Sequence, residues 1–146
     1  MILPDANLLV YACDASSLFH PKASAWCERL MNGKTPVILV SPVIFAFVRI
    51  STHPRIFTHP LSVTESSDHV RAWLGRRQVR LHDMLPEDVE KALALLEAAG
   101  TAGNLTTDAQ ISAMALRLDA EVHTADLDFG RFAGVRFSNP LLSARA

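Results

Sequence analysis

The fold class is indicated by one short segment, Val37-Ile38-Leu39-Val40-Ser41-Pro42. Its first four residues form a continuous apolar run, which is typical of a strand buried on both faces in a parallel sheet. Ser41 and Pro42 follow at once, and this pair predicts a helix with Ser41 as its cap and Pro42 as its first residue. A strand that passes directly into a helix is the building unit of an α/β domain.

Short apolar runs and helical stretches alternate on both sides of this segment. The patterns predict helices over 6–12, 20–32, 43–50, 62–77, 86–99 and 106–118, and further strands over 1–3, 79–81, 121–124 and 135–137. In the helix over 86–99, the apolar stripe at helical spacing is Val89, Ala92, Leu93 and Leu96. We therefore predict one domain over residues 1–146, with helices around a central, mostly parallel sheet. The order of the strands stays open.

Composition excludes several classes of protein. Of the 146 residues, 49% are hydrophobic and 20% are charged, as in a globular domain rather than a disordered chain. No apolar run reaches the ~18 residues that a membrane span requires. The amino terminus lacks the pattern of a secretory signal, so a cytoplasmic location is expected. Cys13 and Cys27 are too few for a disulfide framework and are expected to be free thiols.

The charge balance limits how the chain can hold a nucleic acid. Lys and Arg number 14 against 15 Asp and Glu, which gives a formal net charge of -1. Bulk positive charge is excluded as the main source of affinity, so any basic surface must be local. The candidate is a cluster of four arginines near one predicted helix end, and it serves either as a strip of RNA phosphate contacts or as a solvated helix end. The cluster consists of Arg71, Arg76, Arg77 and Arg80.

Three carboxylates lie where surface acids are not expected. Asp5 and Asp126 follow closely on predicted strands, at the edge where open parallel sheets bind ligands. Asp108 shares the inward stripe of its own helix with Ile111 and Ala115. A buried cluster of ionised carboxylates costs several kcal/mol unless a cation or shared protons offset the charge, and a divalent metal ion does so.

Oxygen-only ligands indicate Mg²⁺ or Mn²⁺ rather than zinc, and such sites most often serve phosphoryl chemistry. Nucleic acid or nucleotide is therefore the predicted substrate class. The histidines lack metal-ligand spacing, and the sequence has neither a glycine-rich phosphate loop nor a GxSxG nucleophile motif. Helix capping is an alternative role for Asp5 and Asp126, and Asp128 is equally well explained as a solvated acid in a first helical turn.

With these residues in hand, the chain resembles the PIN-domain ribonucleases, and within them the VapC toxins of toxin-antitoxin pairs. The resemblance is carried by Asp5-Ala6-Asn7-Leu8-Leu9, the segment over 47–57, Thr107-Asp108-Ala109 and Thr124-Ala125-Asp126-Leu127-Asp128-Phe129. It implies a three-layer α/β/α fold in which Asp5, Asp108 and Asp126 surround one or two Mg²⁺ or Mn²⁺ ions. Asn7 and Thr124 match positions that support these acids.

The resemblance also implies an activity and partners. A VapC toxin is a metal-dependent endoribonuclease that cleaves RNA with water, forms a homodimer and is neutralised by a cognate VapB-type antitoxin. Ala46 departs from the family, because many PIN nucleases carry a glutamate at the matching position. This leaves the number of metal ions open. It also leaves open a catalytically weak or inactive PIN-like domain that acts by binding RNA or a partner protein.

Overall fold

The computed structural model describes residues 1–142 of the chain. The strands in this part are β1 (Ile2–Pro4), β2 (Val37–Val40), β3 (Val79–His82), β4 (Glu121–His123) and β5 (Phe137–Ser138). They form one sheet in the order β3-β2-β1-β4-β5, and each neighbouring pair is parallel. The predicted α/β class with a parallel sheet is confirmed.

The helices of the described part connect the strands as crossovers. They are α1 (Ala6–Cys13), α2 (His20–Asn32), α3 (Ser41–Ser51), α4 (Val63–Leu74), α5 (Pro86–Ala99) and α6 (Thr106–Leu118), with short 3₁₀ turns at Gly103–Leu105 and Leu127–Arg131. From β1 the chain steps to β2 and then β3, and the next crossover returns past β1 to β4. Because such crossovers are right-handed, α1 to α4 cover one face of the sheet and α5 and α6 cover the other.

Burial of β2 explains why its sequence is continuously apolar. All four of its residues are buried between the two helical layers, as the run over 37–40 predicted. The main core continues through the apolar faces of α1 to α4 and includes Ile111 and Met114 of α6. A smaller cluster around Leu95, Ala109 and Phe132 joins α5 to α6.

Three predicted helix boundaries are wrong, one in α3 and two in α4. Ser41 is the first residue of α3 rather than its cap, and its hydroxyl donates a hydrogen bond of 2.6 Å to Oδ1 of Asp83. Ser62 lies just outside α4 and caps it, because it exchanges hydrogen bonds with Glu65 in a capping box. The same helix ends at Leu74, before Gly75, rather than at residue 77.

The domain was predicted to span residues 1–146, and its last four positions, 143–146, lie outside the described residues. None of the helices in residues 1–142 is both long and apolar enough to cross a bilayer. The longest, α5, has 14 residues.

The order of the strands creates one position suited to a ligand. From β1 the chain builds the sheet outward on one side, through β2 and β3, and then on the other side, through β4 and β5. An open parallel sheet has a crevice between the two strands where this change occurs, here β1 and β4, beyond their carboxyl ends. The amide of Asp5 donates to the carbonyl of His123 at 2.9 Å, which brings the end of β1 against the end of β4. The segment that follows β4 therefore lies beside Asp5.

Candidate metal centre

Asp5 is a buried carboxylate with 6% of its surface exposed. It occupies the residue before α1, yet its side chain makes no capping hydrogen bond to that helix. Instead, Oδ2 accepts a hydrogen bond of 2.8 Å from the hydroxyl of Thr124. Helix capping therefore does not account for this acid. Burial raises the pKa of Asp5, the charge of Asp126 adds to the rise, and the Thr124 hydroxyl and the Ala6 amide oppose it.

A chain of hydrogen bonds links Asp5 to the acids after β4. The Thr124 hydroxyl accepts a bond of 2.9 Å from the backbone amide of Asp126. Oδ1 of Asp126 in turn accepts a bond of 2.8 Å from the amide of Asp128. This last bond caps the 3₁₀ turn over Leu127–Arg131, so capping does explain one oxygen of Asp126 and leaves the other one available.

Asp108 approaches the same point from the other helical layer. It lies in the first turn of α6 and is half-buried. Among the described residues, none donates a hydrogen bond to its carboxylate. Burial, together with the negative charges of Asp5, Asp126 and Asp128, raises the pKa of Asp108 to about 7, and burial is the largest cause. Within residues 1–142, no cationic side chain pairs with this carboxylate.

The structure brings together Asp108, Asp126 and Asp128, which each offer a carboxylate oxygen within 4.8 Å of the other two. Asp5 is not in this group. The Thr124 hydroxyl links its carboxylate to the backbone amide of Asp126. Such an arrangement of oxygen donors fits a hard divalent cation. The positive N-terminal ends of α1 and α6 also face this crevice and offset part of the negative charge.

Two residues that the sequence singled out add no oxygen to this group. Ala46 lies half-buried on α3 and has no carboxylate. Asn7 is half-buried, and its side chain makes no hydrogen bond within residues 1–142. Conversely, Asp128 belongs to the group although its sequence position was equally compatible with a solvated acid. The available signal was its spacing of two residues from Asp126 at a strand end.

Comparison with known proteins shows the family of the chain. The family model of the PIN domain matches residues 2–135. Ribonuclease VapC33 of Mycobacterium tuberculosis is 41% identical over 97% of this chain and 99% of its own length. The chain belongs to the VapC group of the PIN-domain family. Ribonuclease VapC37 of the same species is 31% identical to this PIN domain, over 96% of the chain and 97% of the relative.

Solved structures share the fold of this PIN domain. VapC20 of Mycobacterium tuberculosis, described as a Sarcin-Ricin loop cleaving toxin, aligns with a TM-score of 0.69 at 16% identity, over 93% of this chain and 99% of that one. VapBC2 of Rickettsia felis, solved with a DNA fragment from its promoter, aligns with a TM-score of 0.67 at 19% identity. That alignment covers 95% of this chain and 98% of the other.

Proposed function

We propose that this PIN domain is a metal-dependent endoribonuclease toxin, which cleaves phosphodiester bonds of RNA and is neutralised by a cognate VapB-type antitoxin. The observation that carries the proposal is the Asp108 carboxylate, which lies against Asp126 and Asp128 with no hydrogen-bond donor among the described residues. The names of the two relatives, both ribonucleases, support RNA as the substrate.

The metal ligands in this proposal are Asp5, Asp108 and Asp126, with Asp128 as a fourth acid on the exposed side. Mg²⁺ or Mn²⁺ suits a set that offers only oxygen. When bound, such an ion supplies positive charge beside the scissile phosphate and lowers the pKa of a coordinated water molecule. Ala46 adds no ligand, and Asp128 supplies a carboxylate in the absence of a glutamate at position 46.

The other residues of the site hold these carboxylates in position. Thr124 restricts the rotation of Asp5, because its hydroxyl is already fixed by the amide of Asp126. The amide of Asp128 orients one oxygen of Asp126. In the absence of a cation, the carboxyl of Asp108 is about half protonated near pH 7, since its pKa is about 7. Asp108 would give up that proton in order to hold a cation.

Asp108→Asn tests the proposal, because it keeps the shape of the side chain and removes its charge. The purified parent is expected to cleave RNA in Mg²⁺ and to stop when EDTA is added, and the variant is expected to be inactive. Glu97→Gln removes an exposed acid of α5 and is the matched control, with full activity expected. Equal cleavage by the parent and Asp108→Asn would refute the assignment. RNA binding without any metal-dependent cleavage would favour the binding-only role instead.

The toxin part of the proposal needs a test in cells. Because the proposed substrate is RNA, the activity would take place in the cytoplasm. Induced expression of the parent should arrest growth, and expression of Asp108→Asn should not. Co-expression of a small DNA-binding protein encoded just upstream should restore growth if that protein is the antitoxin. Light scattering of the purified chain tests the homodimer that the family resemblance implies.

A further inference from the structure

A pocket lies at the end of the sheet opposite the carboxylates. Its volume is about 460 Å³, and its walls are the chain segments over 31–34 and 76–78. These segments lead into β2 and β3, so the pocket is at the starts of the strands. Asp5, Asp126 and Asp128 follow the ends of β1 and β4. Since all these strands are parallel, the two sites lie at opposite ends of the sheet.

Gln78 fixes the two walls of this pocket relative to each other. Its Nε2 donates hydrogen bonds of 3.0 Å to the carbonyl of Leu30 and 2.8 Å to that of Met31. Its own carbonyl accepts from the amide of Val37 at 2.9 Å. The end of α2 and the start of β3 are thus held together by one side chain, and the pocket is formed without a ligand.

Two of the four clustered arginines have polar partners in the structure, and the other two line the pocket. Arg71 pairs with Asp68 at 3.1 Å on the surface of α4. Nη1 of Arg80 donates to the carbonyls of Arg77 and Val79 at 2.8 and 2.9 Å. Arg71 and Arg80 therefore both have polar partners within their own chain segment.

The remaining two arginines meet a lysine from a distant part of the chain. Arg76 and Arg77 line the pocket together with Lys34, and all three side chains are exposed. Within residues 1–142, none of the three forms an ion pair with a carboxylate. Three positive charges thus converge on one concave site from two separate segments.

Helix ends alone do not neutralise these charges. α2 and α4 both end near the pocket, and the partial negative charge of a helix C-terminus favours cations. The carbonyls of Leu30 and Met31 are already bonded to Gln78. In α4, the carbonyl of Trp73 accepts from the amide of Arg76. These carbonyls are therefore occupied by donors other than the three cationic side chains.

We propose that Lys34, Arg76 and Arg77 form an anion-binding pocket that holds a backbone phosphate of RNA, remote from the cleavage site. The inference rests on the proposed function in that it takes RNA as the ligand. The guanidinium group matches the geometry of phosphate oxygens, and two guanidinium groups occur here. A chain of net charge -1, with acids at its proposed cleavage site, needs local positive charge to hold a polyanion.

The pocket predicts that RNA binding depends on its three cationic side chains. The variants are Lys34→Gln and the double variant Arg76→Gln/Arg77→Gln. The control, Lys91→Gln/Arg136→Gln, removes two exposed charges from other surfaces, the same number as the double variant. Thermal melting first establishes that each variant is folded like the parent.

Binding is measured by fluorescence anisotropy in EDTA, with a fluorescein-labelled hairpin RNA, over a series of salt concentrations. The slope of log Kd against log salt should fall by about 1 for each cation removed from the pocket. The control should keep the slope of the parent. Hairpin binding by Arg76→Gln/Arg77→Gln that matches the parent at every salt concentration would overturn the inference.

The same proteins separate this inference from the proposed function. If the parent cleaves RNA in Mg²⁺ but the pocket variants bind the hairpin like the parent, the pocket fails and the nuclease stands. If hairpin binding depends on the pocket but no cleavage occurs, the nuclease fails and the pocket stands. Polyglutamate is the probe for an acidic protein segment. Pocket-dependent binding of polyglutamate without any such dependence for RNA would overturn the inference in favour of a protein ligand.

Discussion

Thr124 and Asp5 are 119 positions apart in the chain, yet the Thr124 hydroxyl donates a hydrogen bond of 2.8 Å to Oδ2 of Asp5. Both residues are buried, with 1% and 6% of their surfaces exposed. Parallel pairing of β1 with β4 produces this contact. Because the hydroxyl has a single hydrogen and also accepts from the amide of Asp126, both of its bonds have a defined direction. Oδ2 of Asp5 is therefore held as an acceptor.

Thr124→Val removes this hydroxyl and keeps the shape of the side chain. The change leaves Oδ2 of Asp5 and the amide of Asp126 without their partner, so the proposed ligands lose their orientation. Loss of an outer hydrogen bond of this kind typically costs about 10- to 100-fold in metal affinity or activity. We expect a loss of this size, measured as the Mg²⁺ concentration for half-maximal RNA cleavage and as the maximal rate.

Thr124→Ser is the control for this prediction, because it retains the hydroxyl. Serine should keep most of the activity, although it loses a buried methyl group and some stability. If valine and serine at position 124 gave the same activity as the parent, the Thr124 hydrogen bonds would have no role in positioning the acids.

Asp108→Asn should raise the thermal stability of the metal-free protein. Burial and the neighbouring carboxylates raise the pKa of Asp108 to about 7, which means that its ionised form is disfavoured in the fold. Asparagine removes that charge. In EDTA at pH 8, the Tm of the variant should therefore exceed that of the parent in differential scanning fluorimetry.

Glu97→Gln, which removes a solvated charge, should leave the Tm in EDTA unchanged. Added Mg²⁺ should raise the Tm of the parent more than that of Asp108→Asn, because a ligand stabilises only the protein that binds it. A lower Tm for Asp108→Asn than for the parent in EDTA would mean that its charge is compensated by the protein itself.

Much of the fold could be predicted from local patterns. The helices over 20–32, 86–99 and 106–118 have the predicted bounds. The first two each have a proline at their start and a glycine just after their end. The buried strand over 37–40 was equally clear from its apolar run. Proximity of Asp5 to the acids after β4 followed from a general property of parallel sheets, the meeting of strand ends at one edge.

Features that depend on distant partners could not be predicted in this way. The apolar stripe of α5 is an example, because Val89 and Leu93 are exposed while Asp88 is buried. Arg117, 29 positions away, supplies the charge that allows this burial. The inclusion of Asp128 in the acidic group likewise depends on the position of α6, which the sequence does not reveal.

Asp128→Asn should weaken metal binding without abolishing cleavage. Asp128 is exposed, whereas Asp108 and Asp126 are half-buried, so solvent screens its charge more strongly. Removing one such charge weakens the attraction for a divalent cation by about 1–2 kcal/mol, or roughly tenfold in affinity. The Mg²⁺ concentration for half-maximal cleavage should rise accordingly, and excess Mg²⁺ should restore the rate. If saturating Mg²⁺ restored no activity, Asp128 would have a role in the reaction itself.

The pair of Asp88 and Arg117 predicts how stability depends on pH. Asp88 is 1% exposed, and both of its oxygens accept from Nε of Arg117, at 2.8 and 3.0 Å. Burial alone would raise the pKa of Asp88, but the hydrogen bonds from Arg117 and the Leu85 amide, with the Arg117 charge, outweigh it and lower the pKa. The contribution of the pair is therefore complete above the ordinary pKa of about 3.9 and is lost as the pH falls below that value.

Arg117→Gln leaves the Asp88 carboxylate buried without its counter-charge. At pH 7 the free energy of unfolding, measured in urea, should fall by about 3 kcal/mol. Without Arg117, burial raises the pKa of Asp88, so the variant recovers stability as this carboxyl protonates, and its difference from the parent should shrink on acidification. Arg136→Gln disrupts an exposed pair with Asp119 and should cost less than about 1 kcal/mol. A loss for Arg117→Gln that stayed constant from pH 7 to the acid range would show that Arg117 stabilises the fold through packing rather than through the charge of Asp88.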